Sequence, residues 1–140
     1  MSKTLYTFRG KSQDGSWYIG DLKLIRNGAV IISRTGILGA LEIEYDVQVE
    51  TVGQTIDSRC CDVDGNAIFE DDIADIEGEQ FIVDWDSSNF RFCLVNKDGK
   101  KIPINRDKLF NIEFFCYRAK ALKVIGNIFD NPELTEDWKW

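Results

Sequence analysis

Apolar positions along this chain come in short runs, each closed by a polar turn, and the runs alternate or are continuous in the manner of β-strands. Leu5–Arg9 alternates in part and is rich in β-formers, which predicts a first strand. The polar segment Gly10–Gly15 ends in Asp-Gly, a hairpin signal, and Trp17–Leu22 follows as its partner strand. Gly20 inside that strand predicts a bulge or a close backbone approach. Asn27-Gly28 turns the chain into Ala29–Ser33, an almost continuous apolar run. Thr35–Ala40 reads as a flexible loop with apolar side chains, and Leu41–Val49 alternates again.

The stretch Thr51–Ile76 organises the rest. Its turn, Asp64-Gly65-Asn66, is expected to hand over at Ile68-Phe69 to a barrel-forming strand. Beyond it, Gln80–Trp85 and Phe90–Val95 are strands joined by the turn Asp86–Asn89, and Lys97–Lys100 is the next turn. Lys101–Ile104 is short, and Pro103 places it at an edge or strand end. Arg106–Ile112 suits a helical turn or two. Phe114–Tyr117 and Lys120–Phe129 are the last strand candidates. Asn131 as cap, Pro132 at the first helical position and Glu133 in the first turn predict a short closing helix. Trp17, Phe81, Phe90 and Phe92 fall on predicted strands and are assigned to the core.

Turn signals at this spacing, with no sustained helical stripe, predict a mainly β fold of short antiparallel strands with little helix. The length, 140 residues, suits a single domain spanning 1–140. A soft seam near Glu50 divides an N-terminal β lobe, 1–50, from a barrel-forming part, 51–134.

The net charge of −7 changes the functional picture, because phosphate backbones and anionic lipids both demand a positive footprint. Nucleic acid is therefore a disfavoured partner. No apolar run approaches a membrane span, and the first nine residues are too polar for a signal peptide, so the expected location is the cytoplasm. Cys60, Cys61, Cys93 and Cys116 show no C-x-x-C spacing and there is no histidine. They are expected as reduced, packed thiols rather than as a zinc site or disulfides.

The lack of histidine also removes the usual general base, and no nucleophile elbow, phosphate-binding loop or dinucleotide fingerprint occurs. Asp62-x-Asp64-Gly65 resembles part of a calcium loop, but in that register Cys60 would occupy the first ligand position. A hairpin turn accounts for the same residues. Glu70, Asp71, Asp72 and Asp75 could hold magnesium or act as paired carboxylates; as a solvated edge they would discourage strand-to-strand aggregation. The terminal Trp138-Lys139-Trp140 has little core left to join and is expected to dock on its own chain or on a neighbour.

Four segments together resemble the YopX family, small proteins of phages and prophages. Phe8–Leu22 (FRGKSQDGSWYIGDL) resembles the family's opening, and Thr51-Val52-Gly53-Gln54 its T-V-G-Q element. Asp64–Glu70 (DGNAIFE) is similar to its D-x-x-G-x-x-I-[FY]-E element, and Val124–Leu134 (VIGNIFDNPEL) to its closing motif. Two departures stand out: Thr55-Ile56-Asp57-Ser58 replaces an aromatic-Thr-Gly-Leu turn, and Asp71 stands where the family's E-G-D has glycine. That Asp implies either that no positive φ is needed there or that Asp tolerates one. The resemblance implies a small SH3-like barrel and a phage or prophage origin, and it supplies no activity. The expectation is a non-enzymatic interaction or accessory module, without cofactor, acting through a protein partner or by self-association into a homo-oligomer. A nucleic-acid-associated accessory protein and a metal-dependent hydrolase built on Glu70, Asp71, Asp72 and Asp75 are the alternatives.

Overall fold

Local alternation becomes two sets of sheets in a computed structural model, which describes residues 7–113 and 116–140. Among these the chain is mainly β, with one short α-helix. It divides into two compact units between Thr55 and Ile56.

The first unit holds β1 (Phe8–Lys11), β2 (Trp17–Ile25), β3 (Gly28–Thr35), β4 (Leu41–Val47) and β5 (Gly53–Gln54). They form one sheet in the order β4-β3-β2-β1-β5, with β4 at one edge. Register puts Ile31 opposite Leu22 on one side and Tyr45 on the other, so these side chains share a face. Ala29, Ile31 and Val47 are buried on that face, with Phe8, Tyr18, Leu22 and Val52 packed against them. The rings of Tyr18 and Tyr45 stack with centroids 3.8 Å apart. On the opposite face Arg34 meets Glu42 and Asp21, and Lys23 meets Glu44. These pairs are exposed and contribute little to stability. β2 pairs with β1 through Trp17–Gly20 and with β3 from Asp21 onward. At that changeover a Cβ on Gly20 would lie 2.1 Å from the Ile32 carbonyl oxygen, the close approach its sequence position predicts.

The second unit comprises β6 (Cys60–Cys61), β7 (Asp72–Ile76), β8 (Glu79–Asp86), β9 (Arg91–Val95), β10 (Lys101–Pro103), α1 (Arg106–Leu109), β11 (Phe110–Ile112), β12 (Tyr117–Ala119) and β13 (Leu122–Asn127). One antiparallel sheet runs β10-β9-β8-β7-β13, and a smaller one β11-β12-β6. Ile68, Ala74, Phe81, Val83, Leu94, Phe110 and Leu122 are buried in a common core. Full burial of a side chain such as Ile68 contributes on the order of 1.5–3 kcal/mol. Pro103 sits on the edge strand β10, where a missing N–H is tolerated. The five-stranded sheet ends at β10 and β13, and no pairing joins those two strands among the described residues. The mainly β expectation thus holds, while a closed barrel is not seen.

Several local expectations are corrected. The strand after the central turn begins at Asp72, not at Ile68-Phe69; those two residues are buried ahead of it. β6 and β12 pair in parallel, through Tyr117 beside Cys60 and Arg118 beside Cys61. Two-residue contacts of this kind have no periodicity to reveal them. The segment Arg106–Ile112 gives one helical turn, capped by Asn105 Oδ1 accepting from Lys108 N at 3.1 Å, and then a strand. Phe90, assigned to the core, is 80% exposed with φ 52 at the end of the β8–β9 turn. Leu5, Tyr6, Phe114 and Phe115 lie outside the described residues.

One turn design recurs three times. In Ser12–Ser16, Asp62–Asn66 and Asn96–Lys100 the first and fifth residues exchange an N–H···O bond, at 2.8, 2.8 and 3.0 Å. The fourth residue is Gly with φ 91, 86 or 84. The repeated Asp-Gly supplies the left-handed position such a turn needs.

Candidate functional site

Asp62 explains why the central stretch is a scaffold. It is fully buried, and its Oδ1 accepts from the backbone N–H of Asp64 at 3.0 Å and of Asn66 at 2.8 Å. Its Oδ2 accepts from Val124 N at 3.0 Å, fastening the turn to β13. The two Asp62 oxygens are thus engaged by peptide donors, and the turn bends around the carboxylate as a hairpin rather than presenting it as a calcium ligand.

Two of the four acids expected as a cluster are parted by the fold. Asp72 and Asp75 are three positions apart on β7 and therefore point to opposite faces. Asp72 is buried and accepts from Phe69 N at 2.7 Å, while Asp75 Oδ1 accepts from Gly78 N at 3.0 Å in the β7–β8 turn. Asp71 has φ 73, so aspartate does adopt the left-handed conformation where the family has glycine. Its N–H donates to Val83 O and its carbonyl accepts from Ile128 N, at 2.7 and 3.1 Å. No three His, Cys, Asp or Glu side chains are placed to hold a metal among the described residues. The cysteines are free thiols, and adjacent Cys60 and Cys61 face opposite ways on β6. Burial pushes the Cys60 thiol up to about 11.

Two of the clefts in the second unit combine apolar walls with charged residues. The larger, about 490 Å³, is mainly apolar, with Phe81, Leu94, Ile102 and Leu109 in its walls and Glu77, Glu79 and Lys108 among its polar members. The smaller, about 300 Å³, is lined by Arg59, Arg91 and Arg106 beside Tyr117, with Asp57 the one carboxylate among its lining residues. Arg59 forks onto Asp57, Nε to Oδ1 at 2.9 Å and Nη2 to Oδ2 at 2.7 Å. This hydrogen bonding holds the Asp57 carboxyl below the usual carboxylate value, against the opposing effect of burial. The guanidinium carbons of Arg59 and Arg106 lie 5.2 and 5.4 Å from the Tyr117 ring centre. Tyr117 N donates to Arg59 O at 2.8 Å, so backbone pairing sets the ring beside Arg59. Sequence reading did not find this cleft, because its arginines are scattered along the chain. The terminal tryptophans behave as expected in part: Lys139 N donates to Lys97 O at 2.9 Å, and half-buried Trp138 lies beside Asn96, Lys97 and Asp98. Trp140 stays half exposed.

Residues 8–136 match the family described as YopX protein. The chain belongs to the YopX family. No curated protein matches it. Within this YopX chain the segments that carry the resemblance prove to be one another's structural partners. The opening motif meets T-V-G-Q, since β1 pairs with β5 and Thr51 Oγ1 accepts from Lys11 N at 2.8 Å. The central stretch Thr51–Ile76, which contains the third segment, meets the closing one, since Asp62 Oδ2 accepts from Val124 N and β7 pairs with β13. The closing motif folds on itself: Asn127 Oδ1 accepts from Phe129 N and Asp130 N, at 3.0 and 2.9 Å. Asn131 Oδ1 accepts from Asn127 N at 3.2 Å. Asn131 thus spends its side chain backward on that turn and makes no side-chain cap on the short 3-10 helix Pro132–Leu134, contrary to the expected N-cap. A Cβ on Gly126 would lie 2.3 Å from Asn131 Oδ1, which is why glycine stands there.

Proposed function

We propose that this YopX chain is a non-enzymatic interaction module, encoded by a phage or prophage and working in the bacterial cytoplasm through a protein partner or a second copy of itself. The supporting observation is the β3–β4 hairpin. Its tip carries Ile37, 85% exposed, and Leu38, with no burial at all, and Leu41 and Ile43 continue the exposed apolar row along edge strand β4. Leu41, Ile43 and Tyr45 share the face that buries Ile31, so the row continues the unit's core outward. An exposed apolar row beside a strand edge that has no partner among the described residues is costly to leave bare and suits a partner surface. No helix among the described residues is long and apolar enough to cross a membrane.

The test is a triple variant, Ile37→Ser, Leu38→Ser and Leu41→Ser, compared with the native chain by light scattering and by affinity capture from induced cells. Loss of assembly or of specific partners, with the thermal midpoint kept, supports the reading. Unchanged assembly and capture would end it, as would tight, salt-sensitive binding of oligonucleotides.

A further inference from the structure

We propose that the arginine-lined cleft of the second unit is a binding site for a small organic phosphate, a phosphate monoester carried on a flat apolar body. The charge at the site runs against that of the chain. Three guanidinium groups face one carboxylate among the lining residues, a local net charge of +2 in a chain of −7. Since Asp57 already engages the fork of Arg59, the charge left for a ligand belongs to Arg91 and Arg106. Arg106 meets exposed Asp107 at 3.4 Å, a loose pairing that a ligand phosphate would outcompete.

Positioning supports the same conclusion. Arg59 and Arg106 lie 5.2 and 5.4 Å from the centre of one tyrosine ring, so Tyr117 helps to hold both side chains at the cleft. Arg59 is fixed by three bonds to Asp57, its own N–H donating to Oδ1 at 2.9 Å. The pair thus makes one fixed wall of the cleft, set before any ligand arrives. Ile104, Phe92 and Phe110 supply apolar wall, which a bare inorganic anion would leave unused. A volume of about 300 Å³ lies at the small end of ligand sites and matches a compact ligand rather than a polymer.

The probe is phenyl phosphate, titrated by calorimetry and by amide chemical shifts into the full chain, with inorganic phosphate and phenol as its two halves. The expected result is saturable binding of phenyl phosphate, tighter than either half by about tenfold or more. Shifts should centre on Arg91, Arg106 and Tyr117. AMP is a further arm: tighter binding than phenyl phosphate identifies a nucleotide as the source of the phosphate, and weaker binding a simple aryl phosphate. The double variant Arg91→Gln, Arg106→Gln should lose about tenfold or more in affinity. If that double variant does not fold, the single Arg91→Gln, at the exposed start of β9, serves in its place with the same expected direction. Absence of saturable binding to the folded native chain, equal affinity in the folded variant, or shifts centred elsewhere would overturn the proposal.

Discussion

Replacing Asp62 is the sharpest probe of what the central stretch does. Its carboxylate is fully buried and accepts three backbone N–H bonds, two from its own turn and one from β13, 62 positions away. In Asp62→Ala all three donors lose their acceptor. Asp64 and Asn66 are exposed, so water can take over those two N–H groups, and each costs about 0.5–1 kcal/mol. Val124 N is less accessible and loses a charged acceptor, which costs about 1.5–3 kcal/mol. The expected loss is therefore about 2.5–5 kcal/mol, a large share of a typical domain's total stability of roughly 5–15 kcal/mol. Asp62→Asn can keep the two turn bonds through its oxygen but then points an NH₂ at Val124 N–H, donor against donor. It should cost about 2 kcal/mol. Urea unfolding followed by tryptophan fluorescence and circular dichroism measures both variants, with and without calcium. An Asn variant as stable as the native chain would refute the geometry, and so would calcium raising the native midpoint while leaving the variants unmoved.

Three further outcomes rest on other residues of the same fold. Asp71→Gly should be more stable than Asp71→Ala by about 1 kcal/mol, because both remove the side chain but only Ala keeps a Cβ at φ 73; equal urea midpoints would contradict a left-handed residue there. Asp86, 3% exposed, is held below the ordinary carboxylate value of 3.8 by Asn89 Nδ2 at 2.8 Å, and then by Lys101. A depressed carboxyl stabilises the fold above its unfolded value and ceases to as pH falls through its folded value. The stability gap between the native chain and Asp86→Asn should therefore be full at neutral pH and close below 3.8, and a gap unchanged on acidification would refute it. Burial raises the thiol values of Cys60 and Cys93, so both should resist a disulfide reagent at neutral pH until urea unfolds the chain. Rapid labelling of Cys60 in the folded protein would count against its placement.

Much of the fold was legible in sequence because the information is local. The three Asp-Gly turns need a glycine at one left-handed position, and Asp14-Gly15, Asp64-Gly65 and Asp98-Gly99 announce it. Alternation in Leu41–Val47 determines which of its side chains share a face, whatever the partner strand. Pro103 excludes a central strand because it has no N–H to donate. These are constraints on one residue and its near neighbours, and they hold in any tertiary setting.

Contacts between distant segments were decided elsewhere. Nothing near Asp62 indicates that its second oxygen binds Val124 N, since the two meet only when β13 pairs with β7. Asn131 looks like a helix cap until Gly126 brings Asn127 within its reach. Phe90 alternates like a core residue but sits in a left-handed turn that turns it outward. Arg59, Arg91 and Arg106 are dispersed in a chain of net charge −7, and only the packing of β6, β9, α1 and β12 gathers them around one cleft. Sequence by itself determined where this chain turns and which residues share a strand face, because steric and hydrogen-bonding limits act within a few residues. Tertiary structure decided which charges meet and which acids part, because electrostatic contacts depend on distances in space that sequence separation does not set.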